Sequence, residues 1–136
     1  MADSFIKSIY EGYAAREKGN LTEAFACFQR ALELEKDSPI AAFEVGQFYE
    51  QGEIVEKDLE KAYELYVQAG EGCVEMAQFR LAEWYETGIH VEKNAKSAKF
   101  WRERGAEQKK VNDKPPMTLA ESIRQKVMEV QNQKKD

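Results

Sequence analysis

The sequence predicts an all-α protein, a short α-α superhelical solenoid of three helix hairpins plus a C-terminal capping helix. Three observations predict it. The stretch Ala41–Gly70 returns 36 residues later as Ala77–Ala106, with Val45, Tyr49, Gly52, Val55 and Ala62 falling on Leu81, Tyr85, Gly88, Val91 and Ala98. A unit of this length cannot bury its apolar face alone and has to stack on copies of itself. Apolar residues recur three and four apart through most of the chain, which is the helical period. Between these runs stand glycines and Ser, Asn or Asp residues, the usual stops and caps of helices.

The bulk properties agree with a folded body. At 136 residues the chain is one domain by length, and 43% apolar and 11% aromatic residues exclude a disordered chain. No run is long and apolar enough to span a membrane. The start, Met1-Ala2-Asp3-Ser4, has no basic segment leading into an apolar one, so no secretory signal is expected and the location is read as cytoplasmic. Cys27 and Cys73 are too few for a disulfide framework and are expected as buried free thiols. Charge is uneven: 13 basic against 20 acidic residues up to Ala106, and 7 against 5 after it. An acidic body repels phosphate backbones, so nucleic acid is not an expected ligand.

The first unit, about residues 3–37, reads as two helices. Phe5, Ile6, Ile9, Tyr10 and Tyr13 share one face, and Gly19 supplies a left-handed stop. Asn20 with Glu23 forms a capping box for a second helix carrying Leu21, Ala24, Phe25, Phe28, Ala31 and Leu32. The second unit, 38–72, opens on Ser38-Pro39, an N-cap followed by proline where the missing N–H costs nothing. Its turn Val55-Glu56-Lys57-Asp58 ends in an N-cap before Leu59, Ala62, Tyr63, Leu65 and Tyr66. The third unit, 73–107, repeats this with Met76, Ala77, Phe79, Leu81, Trp84 and Tyr85, an Asn94 cap, and Gly105 as the expected stop. The repeat domain thus covers 1–107. A polar linker, 108–117, follows and is kept extended by Pro115 and Pro116. Over 118–133, Thr118 and Glu121 form another capping box before Leu119, Ile123, Val127 and Val130 recur on a narrow stripe. A lid over the last repeat, a self-association surface and a partner-bound helix are all open to it.

Gly12, Ala14, Gly19-Asn20-Leu21, Ala24, Phe28, Ala31 and Leu32-Glu33-Leu34 make the first unit resemble a tetratricopeptide repeat, with Glu11 where that family usually has Leu. From Ala41 the pattern resembles the Sel1-like repeat, a relative with a longer inner turn, on Ala41, Val45-Gly46, Tyr49, Gly52, Val55, Asp58, Lys61-Ala62 and Ala69-Gly70. In the third unit Ala82 replaces Gly46 and Ser97 replaces Lys61.

Catalysis needs converging groups, and none is legible. His90 is the only histidine, in a turn, without a second ligand in metal spacing. Ser4-Phe5-Ile6-Lys7 fits a Ser-x-x-Lys pattern but lacks the companion motifs of acyl-serine enzymes. No cofactor, metal or catalytic residue is therefore expected, and the chain is read as a non-enzyme.

What remains is binding. In tetratricopeptide-like superhelices the first helix of each pair lines a concave groove, so the resemblance implies groove positions Ile6, Ile9, Tyr13 and Arg16, then Ile40, Phe43, Gln47 and Glu50, then Met76, Phe79, Glu83 and Glu86. Ile6, Ile9, Phe43 and Phe79 suit a core equally well. Glu50, Glu83 and Glu86 would give the groove an acidic edge. The carboxylate clamp of chaperone-binding members is not expected, because its positions hold Ile9, Tyr13, Glu44, Met76 and Arg80, and Glu44 would repel a carboxylate. The reading is an adaptor or scaffold for a basic and apolar peptide or helix of a partner protein. The alternative is an assembly subunit that self-associates through the C-terminal helix. A monomer is expected in the first case and a homodimer in the second.

Overall fold

In the computed structural model, which describes residues 2–115 and 117–134, the chain forms seven helices and no strand among the described residues. They are α1 (Ala2–Glu17), α2 (Leu21–Leu34), α3 (Pro39–Gln51), α4 (Leu59–Glu71), α5 (Glu75–Thr87), α6 (Ala95–Asp113) and α7 (Leu119–Gln133). Packing follows chain order, α1 on α2, α2 on α3 and so on to α6, as a stack of hairpins requires. The expected all-α solenoid is what forms.

Local chemistry places the ends. Gly19 (φ +79) closes α1, and the backbone N–H of Asn20 bonds the Ala15 carbonyl at 2.9 Å. Because that N–H is already used, Glu23 bonds the Asn20 side-chain amide at 3.0 Å rather than completing a capping box. Ser38 caps α3, Asp58 caps α4 and Asn94 caps α6, each through its side-chain oxygen. The two long inner turns are built alike: the Asp58 N–H bonds the Tyr49 carbonyl and the Asn94 N–H bonds the Tyr85 carbonyl, both at 3.0 Å.

Within a hairpin, an aromatic side chain lies over a position that has no room for one. A Cβ on Gly12 would sit 2.6 Å from the Phe28 ring, and one on Gly46 would sit 2.9 Å from the Tyr66 ring. In the third hairpin both members change together: Ala82 stands at the glycine position and Arg102 at the aromatic one. The main core joins the second and third hairpins around Tyr66, Leu81, Trp84 and Trp101, with Trp84 ringed by Tyr63 and Tyr66 at centroid distances of 6.4 and 5.7 Å. A second cluster, of Ala15, Ala24, Phe28, Val45 and Phe48, joins the first hairpin to the second.

Four further expectations are corrected. Gly105 does not stop a helix: it is buried inside α6, where an added Cβ would sit 2.9 Å from the Phe79 ring. The segment 108–113, expected as linker, continues α6 to Asp113, helped by Lys109–Asp113 and Gln108–Asn112 contacts at 2.5 and 3.0 Å. The connection begins at Lys114, held extended before Pro115, while Pro116 lies outside the described residues. Cys27 is buried as expected, but Cys73 is exposed, because it takes the left-handed position (φ 70) in the turn between hairpins.

The fourth correction concerns α7, which buries no residue and is not among the packed helix pairs, so it is no lid. The reason lies on α6. Where α4 presents Tyr63 and Tyr66 to the next hairpin, α6 carries Lys99 and Arg102, a polar surface that needs no cover. The first hairpin ends the same way, with Glu11 and Ala14 where Leu81 and Trp84 stand in the third. Glu11, a departure from the family pattern, is thus a solvent-side residue paired with Lys7 at 3.9 Å.

Two measurements check this account. Trp84→Ala should lower unfolding stability by about 3–5 kcal/mol, since it empties the centre of the larger core. Measured at a dilution where the chain is monomeric, ending it after Lys114 should change the stability of the remaining helices by less than about 0.5 kcal/mol in urea denaturation.

Candidate functional site

The face formed by the first helices α1, α3 and α5 carries all ten residues singled out from the sequence, and the structure separates them into three groups. Phe43 is buried (6% exposed) against Tyr66, while Ile9 and Phe79 are half-buried, Phe79 over Gly105. These three serve packing. Ile6, Tyr13, Glu83 and Glu86 are exposed, and Gln47 is half-buried. Arg16 and Glu50 are half-buried and held in polar pairs.

Arg16, Glu50 and Glu86 occupy the same repeat position, and each is held by the second helix of its own hairpin. The Arg16 guanidinium lies 4.9 Å from the centre of the Phe28 ring. Glu50 accepts a 2.6 Å hydrogen bond from the Tyr66 hydroxyl, and Glu86 pairs with Arg102 at 2.7 Å. One geometry therefore carries three chemistries.

The neighbouring position works between hairpins. Glu44, on α3, reaches back to Arg16 at 2.5 Å and accepts a hydrogen bond from the Tyr13 hydroxyl at 3.1 Å. Arg80, on α5, reaches back to Glu50 at 3.2 Å. The two contacts are the same ion pair with its sign reversed. The difference between Glu44 and Arg80 at one repeat position is thus a coupled exchange that keeps each interface neutral. The expected acidic edge is also mostly neutralised: Glu50 and Glu86 hold arginines, and only Glu83 has no ion pair among the described residues. Single-position reading missed the coupling because each partner lies 28 to 30 residues away in sequence.

What stays open on this face is apolar. Ile6, Ile40 and Met76, one at the start of each first helix, are 63, 50 and 60% exposed. Tyr10 is more open still, because the position that Glu44 and Arg80 use to reach back has no preceding hairpin here. In the sequence Tyr10 belongs only to a helical face, and its alignment with Glu44 and Arg80 is the signal that finds it.

Burial, followed by the charge and hydrogen bond of Glu44, pushes the Tyr13 phenol up to about 12. Burial and the bond with Tyr85 push Tyr63 up to about 12, and burial with the Glu50 bond holds Tyr66 well above its usual range. No group of His, Cys, Asp and Glu among the described residues could hold a metal ion. His90 is exposed at φ 63 with its ring 5.8 Å from that of Tyr63 and 6.1 Å from that of Trp84, while Ser4 and Lys7 are both exposed on α1.

With the geometry in place, the class of protein is a helical-hairpin repeat. Residues 9–35, 39–72 and 75–110 match the Sel1 repeat, and the chain belongs to that family. The first hairpin, which reads like a tetratricopeptide repeat, is thus a Sel1 repeat with a short inner turn. A Sel1 repeat protein from Oxalobacter formigenes, known from its crystal structure, is similar with a TM-score of 0.69 at 26% identity. The match covers 76% of this chain and 43% of that one, so this chain spans less than half the length of that relative. No curated protein matches the chain. Sel1 repeats in general mediate contacts between proteins. No helix among the described residues is long and apolar enough to cross a membrane.

Two predictions follow from the pairs. Arg16→Leu leaves Glu44 buried without its cation and should cost on the order of 2 kcal/mol, below the penalty of a dry pair because Arg16 is 33% exposed. Adding Glu44→Gln should return part of that loss, a coupling that a double-mutant cycle measures. Tyrosines whose folded pKa lies above the unfolded value of about 10 favour the protonated fold. Stability should therefore hold up to about pH 10 and fall as pH rises toward 12, with phenolate absorbance rising late for Tyr13 and Tyr63.

Proposed function

We propose that the chain is a protein-interaction adaptor or scaffold, without catalytic activity, whose first-helix face holds a helix or extended peptide of a partner protein. One observation carries this reading. The row Ile6, Ile40 and Met76 leaves a large apolar side chain in solvent at the same position of every hairpin, and Tyr10 and Tyr13 widen it. A repeated exposed apolar row is costly to a protein that binds nothing, and it offers i, i+3, i+4 anchors of a partner helix a continuous surface. Glu83 beside it favours a partner with a lysine or arginine flanking its apolar residues. The acidic body disfavours nucleic acid, and neither a cofactor nor a membrane enters the reading.

A second reading rests on its own observation. The α7 stripe exposes Leu119, Ile123, Val127 and Val130 at 77, 55, 48 and 50%, and this helix could join copies of the chain into a homodimer.

Capture of partners on immobilised protein, followed by mass spectrometry, tests the first reading. Ile6→Asp with Met76→Asp should weaken recovery about tenfold or more while the helical circular dichroism is unchanged. Glu83→Lys should weaken it less, and chiefly at low salt. Equal recovery by the wild type and the double variant would remove the reading.

A further inference from the structure

A cleft of about 640 Å³ lies between the start of α1, the end of α2 and the start of α3. Its floor is apolar: Phe5 and Pro39 are half-buried, and Leu34 and Ile40 are 43 and 50% exposed. Its rim is acidic, with Glu33, Glu35 and Asp37 against Lys36, and none of these four holds an ion pair among the described residues. The α7 helix is its complement. Around Ile123, Val127 and Val130 stand Lys126 and Lys134, with Arg124 at the other flank, again without ion pairs among the described residues. By its spacing Glu121 falls on the opposite side of the helix, and Glu129 lies well off the stripe, past Lys126.

We propose that the α7 helix of one copy docks its Ile123, Val127 and Val130 stripe into the α2–α3 cleft of a second copy, and receives that copy's α7 in return. The proposal rests on the self-association reading and names its counter-surface. Three observations select this occupant. The surface offers an apolar floor with unpaired carboxylates, and the helix offers an apolar stripe with unpaired cations, so each supplies what the other lacks. The two outer ends of the hairpin stack carry charged residues, Lys7 and Glu11 at one and Lys99 and Arg102 at the other. The helix, 15 residues and so about 22 Å long, is joined to the body through the short connection after Asp113 and has no buried residue on its own chain. Exchange of one helix in each direction gives a closed two-fold dimer in which both contacts are identical.

Light scattering on the full chain tests it. The wild type should show twice the 15.7 kDa chain mass, dissociating toward the monomer as salt is raised. A cleft variant (Glu33→Lys, Glu35→Lys, Asp37→Lys) and a helix variant (Lys126→Glu, Lys134→Glu) should each be monomeric at the same concentration, with circular dichroism confirming that both are folded. Mixed together they should form a heterodimer, because each contact then pairs opposite charges. If Ile123→Asp with Val127→Asp abolishes the dimer while the cleft variant keeps it, self-association stands and the cleft is not its surface. A mixture that stays monomeric overturns the proposal in the same way. A wild type that is monomeric at every soluble concentration removes both the proposal and the reading beneath it.

Discussion

The close crossing of the two helices in each hairpin is the constraint on which the rest depends. Phe28 over Gly12 and Tyr66 over Gly46 bring the backbones near enough that any side chain at the glycine would have to displace a ring. That approach sets how far the second helix stands from the first, and therefore where the next hairpin can stack. In the third hairpin the ring and the glycine are relaxed together, to Arg102 and Ala82. The exchange is tolerable there because no further hairpin among the described residues stacks on α6, and a half-exposed guanidinium can reach Glu86 and solvent at once.

The crossing also explains the polar chemistry of the first-helix face. A residue beside the glycine, whether Arg16, Glu50 or Glu86, has the ring or guanidinium of the second helix within reach. The next hairpin then supplies a counter-charge, Glu44 to Arg16 and Arg80 to Glu50, at 2.5 and 3.2 Å. Charges that would otherwise advertise a binding preference are spent within the stack, and the face is left with an apolar row, two tyrosines and Glu83. Neutral interfaces between hairpins also avoid the cost of a buried unpaired carboxylate, which Glu44 would otherwise impose.

The ends of the stack and α7 form one problem. A repeat array exposes an apolar face at each end unless its terminal hairpins are altered. Here they are, with Glu11 and Ala14 at one end and Lys99 and Arg102 at the other. A C-terminal helix is therefore not required as a lid, and its stripe of Leu119, Ile123, Val127 and Val130 remains in solvent. The features most relevant to function are the ones that the fold leaves unused.

By itself the sequence determined the helices, their caps, the repeat period and the family, because these depend on contacts a few residues apart and on a pattern that recurs in register. Asn20, Ser38, Asp58, Asn94 and Thr118 cap the helices at which their positions place them. Reading Gly105 as a stop failed because a glycine that ends a helix and one that admits a neighbouring ring look alike until the ring, Phe79, is in place. The residues assigned to the first helices do lie on α1, α3 and α5, but whether each is open or packed is not legible in the sequence. Only the tertiary structure decided that Phe43 is core, that Glu50 and Glu86 are already paired, and that Ile6, Ile40 and Met76 are open. Those outcomes depend on partners tens of residues away, whose approach is set by how closely the helices cross.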